Sequence, residues 1–246
     1  MTMRYRIDIA YDGTAYAGWQ IQPNGLAIQE VIEKAITRMT SEQTKVHGSG
    51  RTDRGVHARQ QVAHFDLAAS FAPESFLKGL NANLPADVRV LKVRLAAPSF
   101  HARRSARAKQ YRYFIWNGAI LPPVRRRYAA HIRKTLNVGS MNDAAALLVG
   151  RHDFAAFSAN PDRIVESTVR TLKELRVRKA SHEVVIVASA DGFLYKMVRS
   201  LAGFLIRVGE GAVPPSAARE ILASKTRTAT VPTAPPQGLF LWNVSY

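Results

Sequence analysis

The sequence predicts an α+β fold in which helices gather on one face of largely antiparallel sheets. Three observations predict it. Stretches that alternate with period two and stretches with helical spacing follow one another as β, α, β, β, α, β over residues 1 to about 105. The same kind of arrangement returns with larger insertions over the rest, so the chain reads as two domains, 1–105 and 106–246. No unit of about 20 to 50 residues recurs, which sets a solenoid aside.

Taken in order, Arg4 to Tyr11 alternates strictly, with Tyr5, Ile7, Ile9 and Tyr11 on one face, and ends at the Asp12-Gly13 turn. After Pro23-Asn24-Gly25, an apolar stripe of Ile28, Val31, Ile32, Ala35, Ile36 and Met39 marks the core face of a helix. A short strand then enters a glycine-rich loop, and Gln61 to Leu67 alternates beyond it. Pro73 suits the first turn of a second helix carrying Phe76, Leu77, Leu80 and Leu84. Val88 to Leu95 reads as a strand whose alternation slips between Val90 and Leu91, the mark of a bulge. In the second half, Tyr111 to Trp116 is a strand and Leu121 to Thr135 is irregular. Ser140 with Asp143 reads as the cap of a helix holding Ala144, Ala145 and Leu148. Strands at about 168–177 and 184–190 precede a helix over about Leu194 to Val208, whose polar side carries Lys196, Arg199, Gly203 and Arg207 and could be solvated. A short helix between two proline pairs and a strand over Leu239 to Tyr246 complete the series.

Composition narrows the function. Thirty-five Lys and Arg against 18 Asp and Glu give a formal charge of +17, a footprint for a polyanion, with nucleic acid the leading candidate. There are no cysteines, hence no disulfides or thiolate metal sites. The seven histidines include no pair at metalloenzyme spacing, so no metal is expected. No apolar run approaches the roughly 20 residues of a membrane span, so a cytoplasmic protein with no membrane partner is expected. Nucleophile-elbow and dinucleotide-binding patterns are absent.

The stretch with the most chemistry is His47-Gly48-Ser49-Gly50-Arg51-Thr52-Asp53-Arg54-Gly55-Val56-His57. Asp, Thr and Gly are ordinary turn residues, yet here two arginines escort a lone carboxylate. A nucleophile or a base needs such an escort, and Asp53 is the candidate. Two basic segments, 101–114 and Arg125-Arg126-Arg127, combine cations for phosphates with tyrosines able to stack on bases. Tyr111 and Tyr113 point to the same face of one strand, and core packing is the plain reading for one of them. These residues leave open an RNA-acting enzyme, a phosphodiesterase pairing Asp53 with a histidine, and a basic RNA-binding module.

The ordered motifs Tyr11-Asp12-Gly13-Thr14, Gly18-Trp19-Gln20, Gly50-Arg51-Thr52-Asp53-Arg54-Gly55-Val56-His57-Ala58, Ala108-Lys109-Gln110-Tyr111-Arg112-Tyr113, His152-Asp153-Phe154, Phe193 to Arg199 and Ala234 to Leu239 resemble the TruA-type tRNA pseudouridine synthases over essentially the whole length. Arg54 departs from the small residue the family often has there. The resemblance implies the pseudouridine synthase fold, two domains flanking a basic cleft, and a homodimer that binds tRNA. It implies isomerisation of uridine to pseudouridine at positions 38, 39 and 40 of the anticodon stem-loop, without a cofactor. It also implies that Asp53 is the catalytic carboxylate, Tyr111 stacks on the target base, Arg199 pairs with Asp53, Arg51 helps extrude the nucleotide and Leu239 lines the pocket.

Overall fold

In a computed structural model the strand and helix periods fold as mixed α and β with mostly antiparallel pairing, described here over residues 2–159 and 166–246. The chain forms two compact units, residues 1–107 together with 240–246, and residues 108–239. The last seven residues thus belong with the first unit.

The first unit runs β1 (Met3–Tyr11), α1 (Ile28–Thr40), β2 (His47–Gly48), β3 (His57–Leu67), α2 (Pro73–Asn83) and β4 (Val88–Leu95), with β10 (Leu239–Ser245) arriving from the far end of the chain. Its sheet order is β4-β1-β3-β10, with β2 added to β3. β1 is antiparallel to both β3 and β4, whereas β10 lies parallel to β3, placing Phe240 beside His57 and Leu241 beside Ala58. The slip in β4 is real: Asp8 faces Lys92 while Ile9 faces Val90, so Leu91 is the bulged residue. The alternation of β1 sorts its faces. Tyr5, Ile7 and Ile9 are fully buried, and the Tyr5 ring stacks on Phe65 at 5.6 Å and on Phe76 of α2 at 5.3 Å. Each such buried aromatic or aliphatic side chain contributes about 1.5–3 kcal/mol of transfer free energy. On the opposite face Arg6 and Arg94 hold the Asp8 carboxylate at 3.3 and 3.0 Å, so a nearly buried charge is neutralised.

The second unit contains β5 (Ala108–Trp116), β6 (Ala130–His131), α3 (Val138–Leu148), β7 (Gly150–Asp153), β8 (Val169–Ala180), β9 (Glu183–Ala190), α4 (Met197–Gly209) and α5 (Ala217–Ser224). Strands β5-β9-β8-β7 form an antiparallel sheet, to which β6 adds in parallel beside β5. Tyr113, Ile115, Met141, Leu148, Phe157 and Phe204 are fully buried in its core. Among the details that differ from the sequence expectation are the starts of two helices. The cap of α3 is Asn137, whose side chain accepts from the Ser140 N–H at 3.1 Å, three residues before the expected capping box. Helix α4 starts at Met197, because Lys196 ahead of it adopts a left-handed conformation (φ 55°) that no helix can propagate through. Among the described residues no helix is long and apolar enough to cross a membrane.

Candidate active site

Asp53 sits in the loop between β2 and β3, and that loop is fastened at its start, middle and end. At its start, Ser49 N donates to Val62 O at 2.7 Å and its hydroxyl donates to Gln61 Oε1 at 2.6 Å. The Gln61 amide also donates to Gly50 O at 2.9 Å, so a single buried side chain closes both ends of the entry. In the middle, the Tyr11 and Thr52 hydroxyls share a 2.9 Å hydrogen bond, and Trp19 N donates to Thr52 O at 3.0 Å. Burial pushes the Tyr11 phenol well above its ordinary pKa, keeping it a neutral hydrogen-bonding group. At the end, Val56 N donates to Asp53 O at 3.1 Å, closing a turn around the carboxylate.

The two loop motifs belong together for a steric reason. A Cβ on Gly13 would lie 2.0 Å from Val56 O, and one on Gly18 would lie 2.6 Å from Thr52 O. Only glycine lets the segment after β1 press its backbone against the backbone of the Asp53 loop. His57, the first residue of β3, secures the same contact. Its Nδ1 is 3.1 Å from Gly13 N and 3.1 Å from Asp12 Oδ1. A backbone N–H can only donate, so Nδ1 accepts from Gly13, while Asp12 Oδ1 takes the Thr14 N–H at 2.9 Å. The His57 ring then stacks on Phe240 at 4.5 Å. The outcome is a carboxylate of intermediate exposure on a backbone-anchored turn, with Thr52 buried and the Arg51 and Arg54 side chains exposed on either side.

In the second unit, Tyr111 on β5 is 7% exposed and meets Phe193 edge-on at 5.1 Å. Tyr113, two residues on, is the core tyrosine. It is fully buried, its hydroxyl donates to Pro235 O at 2.9 Å, and burial raises its pKa against the opposing charge of Arg199. The polar side of α4 is not solvated. Arg199 Nε donates to Ala234 O at 2.7 Å and its own carbonyl accepts from Ala234 N at 3.0 Å, while Arg207 donates to Ala229 O at 3.0 Å. Between them a Cβ on Gly203 would lie 2.0 Å from Pro232 O. The segment after α5 therefore docks along this face and leads into Leu239, which is 6% exposed. Arg227 fastens it further, donating to Ser200 Oγ at 2.7 Å and Thr233 Oγ1 at 2.8 Å.

The expected residues thus fall into two sets, Arg51 and Asp53 on one unit, and Tyr111, Arg199 and Leu239 on the other. Sequence reasoning missed the braces Tyr11, Gln61 and Arg227. Gln61 had a signal, since it is a polar residue at an inward position of an alternating strand; Arg227, in an aperiodic segment, had none. Among the described residues no group of three His, Cys, Asp or Glu could hold a metal ion.

Known proteins resemble this chain over its whole length. Residues 8–103 and 144–246 match the family described as tRNA pseudouridine synthase, and the first of these spans contains the whole braced loop. The chain is 44% identical over 243 residues to tRNA pseudouridine synthase A of Brevibacillus brevis, covering 99% of each. It is 43% identical over 252 residues to the protein of that name from Chlamydia trachomatis, covering 100% of this chain and 93% of the relative. With that of Limosilactobacillus reuteri it shares 41% over 248 residues, covering 99% and 96%. A loop glycine-fitted around one carboxylate, and full-length identity above two fifths, place the chain in one group: it belongs to the tRNA pseudouridine synthase family.

Proposed function

We propose that this protein isomerises uridine to pseudouridine in the anticodon stem-loop of tRNA, at positions 38, 39 and 40, with Asp53 as the catalytic carboxylate. The observation that carries the proposal is the bracing of the Asp53 turn through Thr52, Trp19 and Val56, which fixes where the carboxylate stands. The reaction exchanges the C1′–N1 bond of the nucleoside for a C1′–C5 bond and moves one proton from C5 to N1, leaving the formula unchanged. A protein that does this must flip the base out, supply one carboxylate beside C1′ or C6, and keep the detached uracil from water and from escape. Tyr111 supplies an aromatic face for the base, Leu239 an apolar wall, Arg51 an exposed cation to help extrude the nucleotide, and Arg199 a cation held in place by Ala234. The rest of the proposal is a homodimer in the cytoplasm, and a sedimentation mass of one chain would overturn the dimer.

The test is to incubate the purified protein and an unmodified tRNA transcript with EDTA, then map pseudouridine by carbodiimide adduct and primer extension. New stops at the anticodon-stem uridines are expected with wild type. Asp53→Asn should give none while binding tRNA within a few-fold of wild type. Normal turnover by that variant removes Asp53 from the mechanism, and shortened RNA would make the protein a nuclease.

A further inference from the structure

In the second unit the successive residues Thr233, Ala234 and Pro235 are each fastened by a different side chain. Arg227 donates to the Thr233 hydroxyl at 2.8 Å, Arg199 Nε to Ala234 O at 2.7 Å, and the Tyr113 hydroxyl to Pro235 O at 2.9 Å. The middle fastening bears on the proposed reaction, since a guanidinium held at Nε has its plane and its remaining donors aimed in one direction. It is a two-way clasp, because Ala234 N donates back to Arg199 O at 3.0 Å.

Arg227 bridges the two residues that flank this clasp. Its Nη1 donates to Ser200 Oγ at 2.7 Å and its Nη2 to Thr233 Oγ1 at 2.8 Å. Ser200 follows Arg199 on α4, and Thr233 precedes Ala234, so one planar group ties helix to segment one residue away from the clasp on both sides. Ser200 is fully buried, and its hydroxyl meets this guanidinium where no water can replace it. Both acceptors are neutral hydroxyls, and burial lowers the Arg227 pKa, so the charge itself is ill placed for stability. The fork is well placed for geometry, and lysine, a single nitrogen on a flexible stem, does not reproduce it.

We propose that Arg227 is a positioning residue for the isomerisation: by tying Ser200 to Thr233 it holds the Arg199–Ala234 clasp in register, and with it the guanidinium of Arg199. It acts through Arg199, and by its shape, not by its charge. A displacement of Arg199 by even about 1 Å is enough to cost a large factor in rate, because the group it serves is used only at the reacting centre. The inference rests on the proposed isomerase reading and on the part that Arg199 has in it.

The test combines steady-state pseudouridine formation on an unmodified tRNA transcript with heteronuclear NMR of the arginine side chains in the full-length protein. Arg227→Lys keeps the charge and loses the fork, and it should lower kcat about 10- to 100-fold while KM stays within about threefold. The Arg199 Nε–H signal, assigned by its loss in Arg199→Lys, should exchange with solvent faster in Arg227→Lys than in wild type. In an Arg199→Lys background, Arg227→Lys should cost no more than about twofold in kcat, because nothing is left for it to position. Thr233→Val replaces one acceptor by a methyl of the same shape and keeps the test open if Arg227→Lys fails to fold. It should move kcat and the exchange in the same direction, and Thr233→Ser should restore both. Unchanged exchange at Arg199, full additivity of the two substitutions, or a raised KM with kcat intact overturns the positioning role, the last by making Arg227 a contact for RNA. Wild type that makes no pseudouridine overturns the isomerase reading, and the exchange measurement still decides whether Arg227 holds Arg199.

Discussion

Tyr11, Thr52 and Gly13 show how little slack the Asp53 loop has. Tyr11→Phe removes one of two mutually bonded buried hydroxyls and strands the other, at a cost of about 1–3 kcal/mol. A fall of several degrees in melting temperature, with a larger loss in kcat than in KM, is the expected reading. Gly13→Ala is expected to be worse, because the added methyl meets backbone that has no rotamer to yield. Overpacking of about 1–3 kcal/mol sets the scale, and activity should fall further than stability since the displaced atoms belong to the Asp53 turn. His64 adds a pH signature of its own. Its folded value of about 4 lies below the roughly 6.5 of an unfolded histidine, so it stabilises the fold above that range. That contribution drains away as pH falls from about 6.5 through about 4. His64→Asn, which preserves the acceptor for Ala102, should flatten this part of a plot of melting temperature against pH.

At the scale of elements, the strands and helices were legible wherever one face is buried and the other wet, because that condition writes a period into the sequence. β1, α1, α2 and the bulge at Leu91 all satisfy it. α4 does not, since a polar side can face water or another segment and the sequence looks the same. Here the partner is backbone, in the carbonyls of Ala229, Pro232 and Ala234, and backbone has no sequence signal. Gly203→Ala is expected to lift that segment from the helix, weakening kcat/KM by loosening Arg199 and the approach to Leu239, and a crystal structure of the variant with the 226–236 segment unmoved would refute this. Asn137→Ala should remove the α3 cap for about 1 kcal/mol, readable as a denaturation midpoint shift with activity retained. That Asp53 lies in a loop between two β segments was legible from the alternation that follows the loop and the short strand that enters it. The meeting of His47, His64 and His101, with ring centres 4.7 to 5.9 Å apart, was invisible, because nothing in residues 47, 64 and 101 announces that β2 and the turn after β4 meet over β3.

For the whole molecule, the excess of 17 positive charges makes RNA affinity a function of salt. The 125–127 arginines are candidate contributors to it: all three are exposed, Arg125 lies 3.1 Å from Glu183 and Arg126 donates to Pro123 O at 2.9 Å. Replacing all three by Ala should lower the slope of log affinity against log salt by up to about one unit per lost phosphate contact. An unchanged slope in the triple variant would put this cluster outside the RNA footprint. The C-terminal strand carries a different consequence, for the order in which the molecule is made. β10 lies against β3, and Phe240 covers His57, the residue that pins Gly13 to the Asp53 loop. The ribosome must therefore synthesise the entire second unit before the first can close its sheet, and a nascent chain halted short of Phe240 carries every residue of the proposed catalytic loop with its last clasp still open.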